Sequence, residues 1–503
     1  MAALKPAGTC ARVGLVVFLT AGCGLSKPHV QSNARSNATS TAVRSAAPPA
    51  TSAPIAKSAP ATAQRDVVPV NHRMPVDSEP AAYHDGLFAA SQELSLPALL
   101  QEVEARNPSI QAMAHAWQAM AQRYPQVVSL DDPMFMTMMA PASFGSSQVE
   151  SAYILQGSQK LPWFGKRPMR GQAAQAEADA AYFDSNDTRL QVAQVTRLAF
   201  YDYYLVARES ELVDENAQVL REFRAAAQAK YENNQVTQQD VLQADVELTD
   251  TERRRIEIDR MRNVAAARIN TLLRRPPMAP LPPPPRGLVL EGETPPVDHL
   301  QGLAAMQRPD LAALGARVRA EEAAVNLALK QYYPDAEFFG RYDSFWQPAS
   351  TQSDLRGQVG MNVNVPIYRN KLNAAVCEAQ FRLSQRRAEY QQKSLDIQYE
   401  VQSAYEQVHE SRRAAELYTS QYLSLAEQNL EAGRANYDVG KTTFLWLSQA
   451  QRQVLEVREK YQQTLADYHR RLADLERAVG GNLSISAQRA VEEIPQPEKL
   501  QSR

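Results

Sequence analysis

The chain has 503 residues, 44 % of them apolar and 22 % charged, with a formal net charge of −2. A near-neutral balance with no clustered Lys/Arg patch excludes the electrostatic field of a nucleic-acid binder, and the length alone would suggest about three domains. No Walker A loop, nucleophile elbow, HExxH pair or paired catalytic carboxylates can be placed, and Gly165-Lys166 is followed by Arg167 where a phosphate loop needs Ser or Thr. Neither an enzyme nor a cofactor nor a metal centre is expected.

At the start of the chain, Lys5 and Arg12 precede a short apolar run, residues 13–19, that ends in Leu19-Thr20-Ala21-Gly22-Cys23. Such a run is too short to span a bilayer and reads as a signal peptide over residues 1–22. Its end resembles a bacterial lipoprotein cleavage site, which would make Cys23 the lipid-bearing first residue, and Gly24 in place of Asp implies sorting to the outer membrane. Of the three cysteines, Cys10, Cys23 and Cys377, processing would leave one thiol. Stability must then come from packing or assembly and not from disulfides. Residues 23–94, rich in Ala, Ser, Pro and Thr, cannot bury a core and read as a lipid-anchored flexible tether.

From residue 95 the chain is written twice. Pro108 and Pro133 reappear as Pro309 and Pro334, Leu161-Pro162 as Val365-Pro366, and Tyr231 as Tyr437, with offsets of 201, 201, 204 and 206. A repeat this regular overrides the length prior. It divides the chain into a first repeat (residues 95–275), a Pro-rich connector (276–298) containing Pro282-Pro283-Pro284-Pro285, a second repeat (299–481) and a polar tail (482–503). Within each repeat, a first helix of roughly 25 residues precedes a strand region and a very long helix follows it. The run from Pro168 to Tyr231 reaches ~95 Å at ~1.5 Å per residue, several times the ~30 Å hydrocarbon core of a bilayer. It is too polar to lie in lipid. Val401, Ala404, Tyr405 and Val408 follow the spacing of a packed helical face, and Ala173, Ala176 and Ala180 would admit a close neighbour.

The strand regions alternate. Leu355, Gly357, Val359, Met361, Val363 and Val365 interleave with Arg356, Gln358, Gly360, Asn362 and Asn364, and Ala336, Phe338, Gly340 and Tyr342 with Glu337, Phe339, Arg341 and Asp343. Residues 134–140 and 152–161 are the first-repeat equivalents. Segments of about ten residues, apolar on one face and polar on the other, suit a membrane β-barrel or a half-buried soluble hairpin. Four strands cannot close a barrel, and an open edge cannot face lipid, so a barrel would need several chains. Met134, Met136, Met138 and Met139 invite a soft-metal reading, but the first three share one strand face, where a lipid-facing or packing role is simpler.

Two junctions are matched as well: Tyr231-Glu232-Asn233-Asn234-Gln235-Val236-Thr237 before Asp240, and Tyr437-Asp438-Val439-Gly440-Lys441-Thr442-Thr443 before Trp446. Asn234 or Gly440 suits the left-handed residue that ends a helix, and Thr237 or Thr443 the cap of the next. Together with Leu161-Pro162-Trp163-Phe164-Gly165-Lys166, these junctions resemble the TolC-like outer-membrane efflux family, particularly its lipoprotein members. The resemblance covers about residues 95–481. It implies a mainly α fold with a transmembrane β-barrel portion: a duplicated strand pair plus long helical hairpin, assembled as a homotrimeric β-barrel in outer-membrane lipid and continued by an α-barrel through the periplasm. It further implies a passive exit duct coupled to an inner-membrane efflux pump through a periplasmic adaptor protein, carrying small molecules or metal ions. Asn234, Val236, Thr237, Gly440, Lys441 and Thr442 would form the adaptor-docking tip, and Asp240 and Tyr437 the gate. Thr442 and Trp446 stand where the family can carry a gate arginine and an acidic constriction residue. A type I protein-secretion duct and a lipid-anchored periplasmic coiled-coil scaffold are the competing readings.

Overall fold

The computed structural model describes residues 93–139, 141, 153–290, 292, 294–344 and 357–481. The expected signal peptide, Cys23, nearly all of the tether and the polar tail lie outside the described residues. In chain order the elements are α1 (Leu96–Arg106), α2 (Pro108–Ala121), α3 (Arg123–Val128), β1 (Met134–Met139), β2 (Tyr153–Leu161), α4 (Lys166–Glu232), α5 (Gln238–Leu272), α6 (Val297–Gln307), α7 (Pro309–Lys330), β3 (Asp335–Ser344), β4 (Gly357–Asn364), α8 (Arg369–Leu417), a π segment (Tyr418–Tyr422), α9 (Leu423–Asp438) and α10 (Phe444–Val479).

Proline decides the helix starts and one helix break. Pro108 and Pro309 occupy the first turns of α2 and α7, where the missing N–H costs nothing. The expected 25-residue first helix is instead divided, because Pro125 cannot donate to the carbonyl four residues back and its ring crowds Ala121, where α2 ends. The second repeat has Asn326 at the matching place, and α7 runs unbroken over 22 residues. Gly171 lets α3 lie against α4, since a Cβ there would meet Val128 Cγ1 at 2.6 Å.

The long helix α4 packs against α2, α5, α7 and α10. Small residues line this part of the framework: Ala174, Ala176, Ala178 and Ala180 are buried on α4, and Ala313, Ala316, Ala320 and Ala323 on α7, which packs against it. Two cores then repeat one another. Leu99, Val103, Ala199 and Ile269 bury between α1, α4 and α5, and Leu300, Ala304, Ala404 and Leu475 bury between α6, α8 and α10. A third core mixes the repeats, joining Leu220, Phe223, Ala227, Val241 and Ala244 to Tyr437, Phe444 and Leu447. The connector lies against this framework: Leu94 N donates to Pro283 O (2.8 Å), Tyr203 Oη to Pro282 O (3.2 Å) and an Arg208 Nη to Arg286 O (3.3 Å).

One antiparallel sheet, in the order β1-β2-β3-β4, joins the repeats. Lys166, buried at the start of α4, anchors it by donating to Tyr333 O (2.9 Å) and Asp335 Oδ1 (2.7 Å), while Trp163 stacks on Tyr333. Residues opposite one another in the register share a face. The pairings Met136↔Gln156↔Arg341↔Gln358 and Phe135↔Gly157↔Gly340↔Val359 therefore sort the whole sheet. One face carries Phe135, Leu155, Phe338, Tyr342, Val359, Met361 and Val363. The other carries Lys160, Gln156, Glu337, Arg341, Asp343, Gln358 and Asn362. Met134, Met136 and Met138 fall on this polar face, contrary to the lipid-facing role that alternation alone suggested.

Candidate functional site: the paired helical junctions and the two-faced sheet

Both junctions close as Schellman caps. Asn234 N donates to Tyr231 O (2.9 Å) and Gln235 N to Lys230 O (2.9 Å); Gly440 N donates to Tyr437 O (3.1 Å) and Lys441 N to Asn436 O (2.9 Å). The turn residue is left-handed in each, with φ 58° at Asn234 and 72° at Gly440. Thr237 and Thr443 stand at the N-cap positions with extended backbone, yet neither side chain makes a capping bond. Their carbonyls instead accept from Asp240 N (3.1 Å) and Trp446 N (3.2 Å).

Between the junctions lies a groove of about 870 Å³ lined by residues of both. It brings together Val236, Thr237, Asp240, Tyr437, Gly440 and Thr442; Asn234 and Lys441 sit in the turns but do not line it. Tyr437 forms its floor, 3 % exposed, with its ring edge-on to Phe444. Lys230 crosses from the first hairpin to the second. Its Nζ donates to Tyr437 O (2.7 Å), lies 3.5 Å from Asp438 Oδ1, and stands 4.1 Å from the centre of the Tyr437 ring, a cation–π placement worth about 1 kcal/mol.

Burial and then the Asp240 and Asp438 carboxylates push the Tyr437 hydroxyl up to about 12, so it stays protonated. Burial likewise raises Asp240 above the usual carboxylate range. The Tyr437 and Thr442 hydroxyls have no hydrogen-bond partner among the described residues. An unmade buried bond costs about 1–3 kcal/mol, so this arrangement is held together by the surrounding apolar core and Lys230. Sequence reading missed Lys230: it lies in ordinary helical sequence immediately before Tyr231 and becomes significant only when the second hairpin is placed beside it.

The family model described as "Outer membrane efflux protein" matches residues 300–481. The second repeat is thus similar to an outer membrane efflux protein domain. That domain spans α6 to α10, and the fold of the described body as a whole is that of the TolC-like outer-membrane channels, strands of a β-barrel joined to helices of an α-barrel. VceC from Vibrio cholerae superposes with a TM-score of 0.65 at 19 % identity, over 77 % of this chain and 96 % of that one. The open state of the Neisseria gonorrhoeae MtrE channel gives 0.64 at 16 % identity over 77 % and 89 %, and the Campylobacter jejuni CmeC channel 0.64 at 14 % over 78 % and 88 %. No curated protein matches. Among the described residues, no helix is long and apolar enough to cross a membrane. The two-faced sheet is the element with barrel character.

Proposed function

We propose that the protein is the outer-membrane exit duct of a tripartite efflux system, a passive channel for small molecules or metal ions that draws its energy from an inner-membrane pump through a periplasmic adaptor. The observation that carries this reading is the sheet: four antiparallel strands, apolar on one face and mostly polar on the other, with β1 and β4 outermost among the described residues. Unpaired strand edges are not tolerated in lipid. Edge pairing with further copies satisfies them, and a homotrimer would have twelve strands, above the minimum of about eight for a closed barrel. The polar face then lines the lumen and the apolar face meets lipid.

On this reading the two junctions form the periplasmic end. Asn234, Val236, Thr237, Gly440, Lys441 and Thr442 present the turns to an adaptor, while Asp240, Tyr437 and Lys230 hold the hairpins against one another as a gate. Lipidation at Cys23 would add an anchor without spanning the membrane. Reconstitution of the full-length protein in planar bilayers tests the duct. Stepwise conductance from a trimer that dissociates only on heating is expected; the absence of both would leave a periplasmic helical scaffold as the better account.

A further inference from the structure

Four of the six residues of β1 are methionines, and three of them, Met134, Met136 and Met138, share the sheet face that carries Gln156, Arg341, Asp343 and Gln358, with Ile154 and Phe339 also on it. Within the chain they pack little: their relative exposures are 60 %, 43 % and 53 %. Nor do they share the apolar face, which is already furnished by Phe135, Leu155, Phe338, Val359 and Met361. We propose that Met134, Met136 and Met138 form a thioether ladder that binds monovalent soft cations, Cu(I) or Ag(I), on the polar face of the sheet. The placement of that ladder in the lumen rests on the duct reading above; the binding itself does not.

The chemistry favours this ligand class. Thioether sulfur is a soft, neutral donor that selects Cu(I) over hard divalent cations. It carries no proton to displace, and it cannot be consumed by disulfide formation as a thiol can. Alternate residues of a strand lie ~7 Å apart, and methionine has three rotatable side-chain bonds, so neighbouring sulfurs can converge on one ion and pass it to the next rung. A polar surface needs no such run: Ser, Thr, Asn or Gln would serve it, and Leu would serve an apolar lining.

Leucine therefore provides the discriminating variant, because it keeps volume and apolar character and removes only sulfur. Ag(I) is the probe, since it needs no reductant. Chloride-free calorimetric titration compares the detergent-solubilised full-length protein with its M134L/M136L/M138L variant, both in a Cys377→Ser background so that the α8 thiol adds nothing. Saturable Ag(I) binding weakened at least tenfold in the variant is expected, with both proteins running as the same oligomer. Equal binding by the two, or no saturable binding by either, overturns the ladder. Conductance recorded on the same preparations separates the two ideas. Conductance with no sulfur-dependent binding leaves the duct and removes the ladder, whereas sulfur-dependent binding without conductance does the reverse.

Discussion

At the scale of single residues, four left-handed caps come in two matched pairs. Asn234 and Gly440 end α4 and α9, and Arg274 and Gly480 end α5 and α10, with φ of 58°, 72°, 57° and 94°. Each second-repeat member is glycine and each first-repeat member is not. A side chain in this region costs about 1 kcal/mol or more, least for Asn. Arg274 is exposed and caps through its backbone alone, Arg274 N to Thr271 O and Arg275 N to Asn270 O. Arg274→Gly is thus expected to stabilise the protein by about 0.5–1 kcal/mol, and Gly440→Val to destabilise the tip by at least as much, both read as opposite shifts of the thermal midpoint. A downward shift for Arg274→Gly would show that the guanidinium, and not the backbone, secures that end. Three of these caps were legible, because Asn and Gly announce a left-handed position. Arg274 was not, since arginine carries no such signal and only its place 206 residues before Gly480 marks it.

At the scale of elements, the duplication was legible because proline and turn residues recur at fixed offsets, while two departures from it were not. One is the break at Pro125. The other is the π segment at Tyr418–Tyr422. Buried positions of α4 and α8 match at an offset of 205, as in Ala199 with Ala404 and Val206 with Ser411, yet the tips match at 206. A π turn accommodates one extra residue without ending a helix, so this segment takes up the slip. What the connector covers was hidden in the sequence: beside Val289 it lies over His469, buried in α10 and stacked on Tyr201 at 5.2 Å. Burial lowers the His469 pKa from 6.5 to about 4. The unfolded chain therefore takes up a proton as pH falls through 6.5 while the folded protein resists until about 4, and stability declines across that window. His469→Phe should flatten the fall in thermal midpoint between pH 6.5 and 4. An unchanged slope in the variant would assign it to other groups. Asp310 is not one of them: burial opposes its ionisation, but Arg308 and Lys393 hold it at about 2, and its contribution is lost only as pH falls from 3.8 toward that value.

At the scale of the whole molecule, the single chain leaves two apolar stripes uncovered. On α5, Leu242, Val246, Ile256 and Val264 are exposed, and at about 100° per residue all four lie within roughly 40° of one line along the helix. On the other long hairpin, Leu417, Tyr422 and Leu425 flank or occupy the π segment. The stripes belong to different repeats and differ in composition, so a contact between them joins unlike surfaces and closes only as a ring. On the duct reading, the outermost strands of the sheet, β1 from the first repeat and β4 from the second, would pair between copies in the same sense. The duplication supplies two similar halves within a chain, and in the proposed homotrimer the mismatch between their surfaces would select which half meets which in the next copy. Ile256 is the sharpest test, being 72 % exposed in the chain alone. Ile256→Glu removes little burial within the protomer, so far-ultraviolet helix content and monomer stability should hold. On the homotrimeric duct proposed above, a carboxylate buried against Leu or Tyr of a neighbour costs several kcal/mol per copy, and the unheated protein is then expected to shift from trimer to monomer on gels and in light scattering. An Ile256→Glu protein that remains fully trimeric would move the interface off α5 and leave closure to the sheet edges alone.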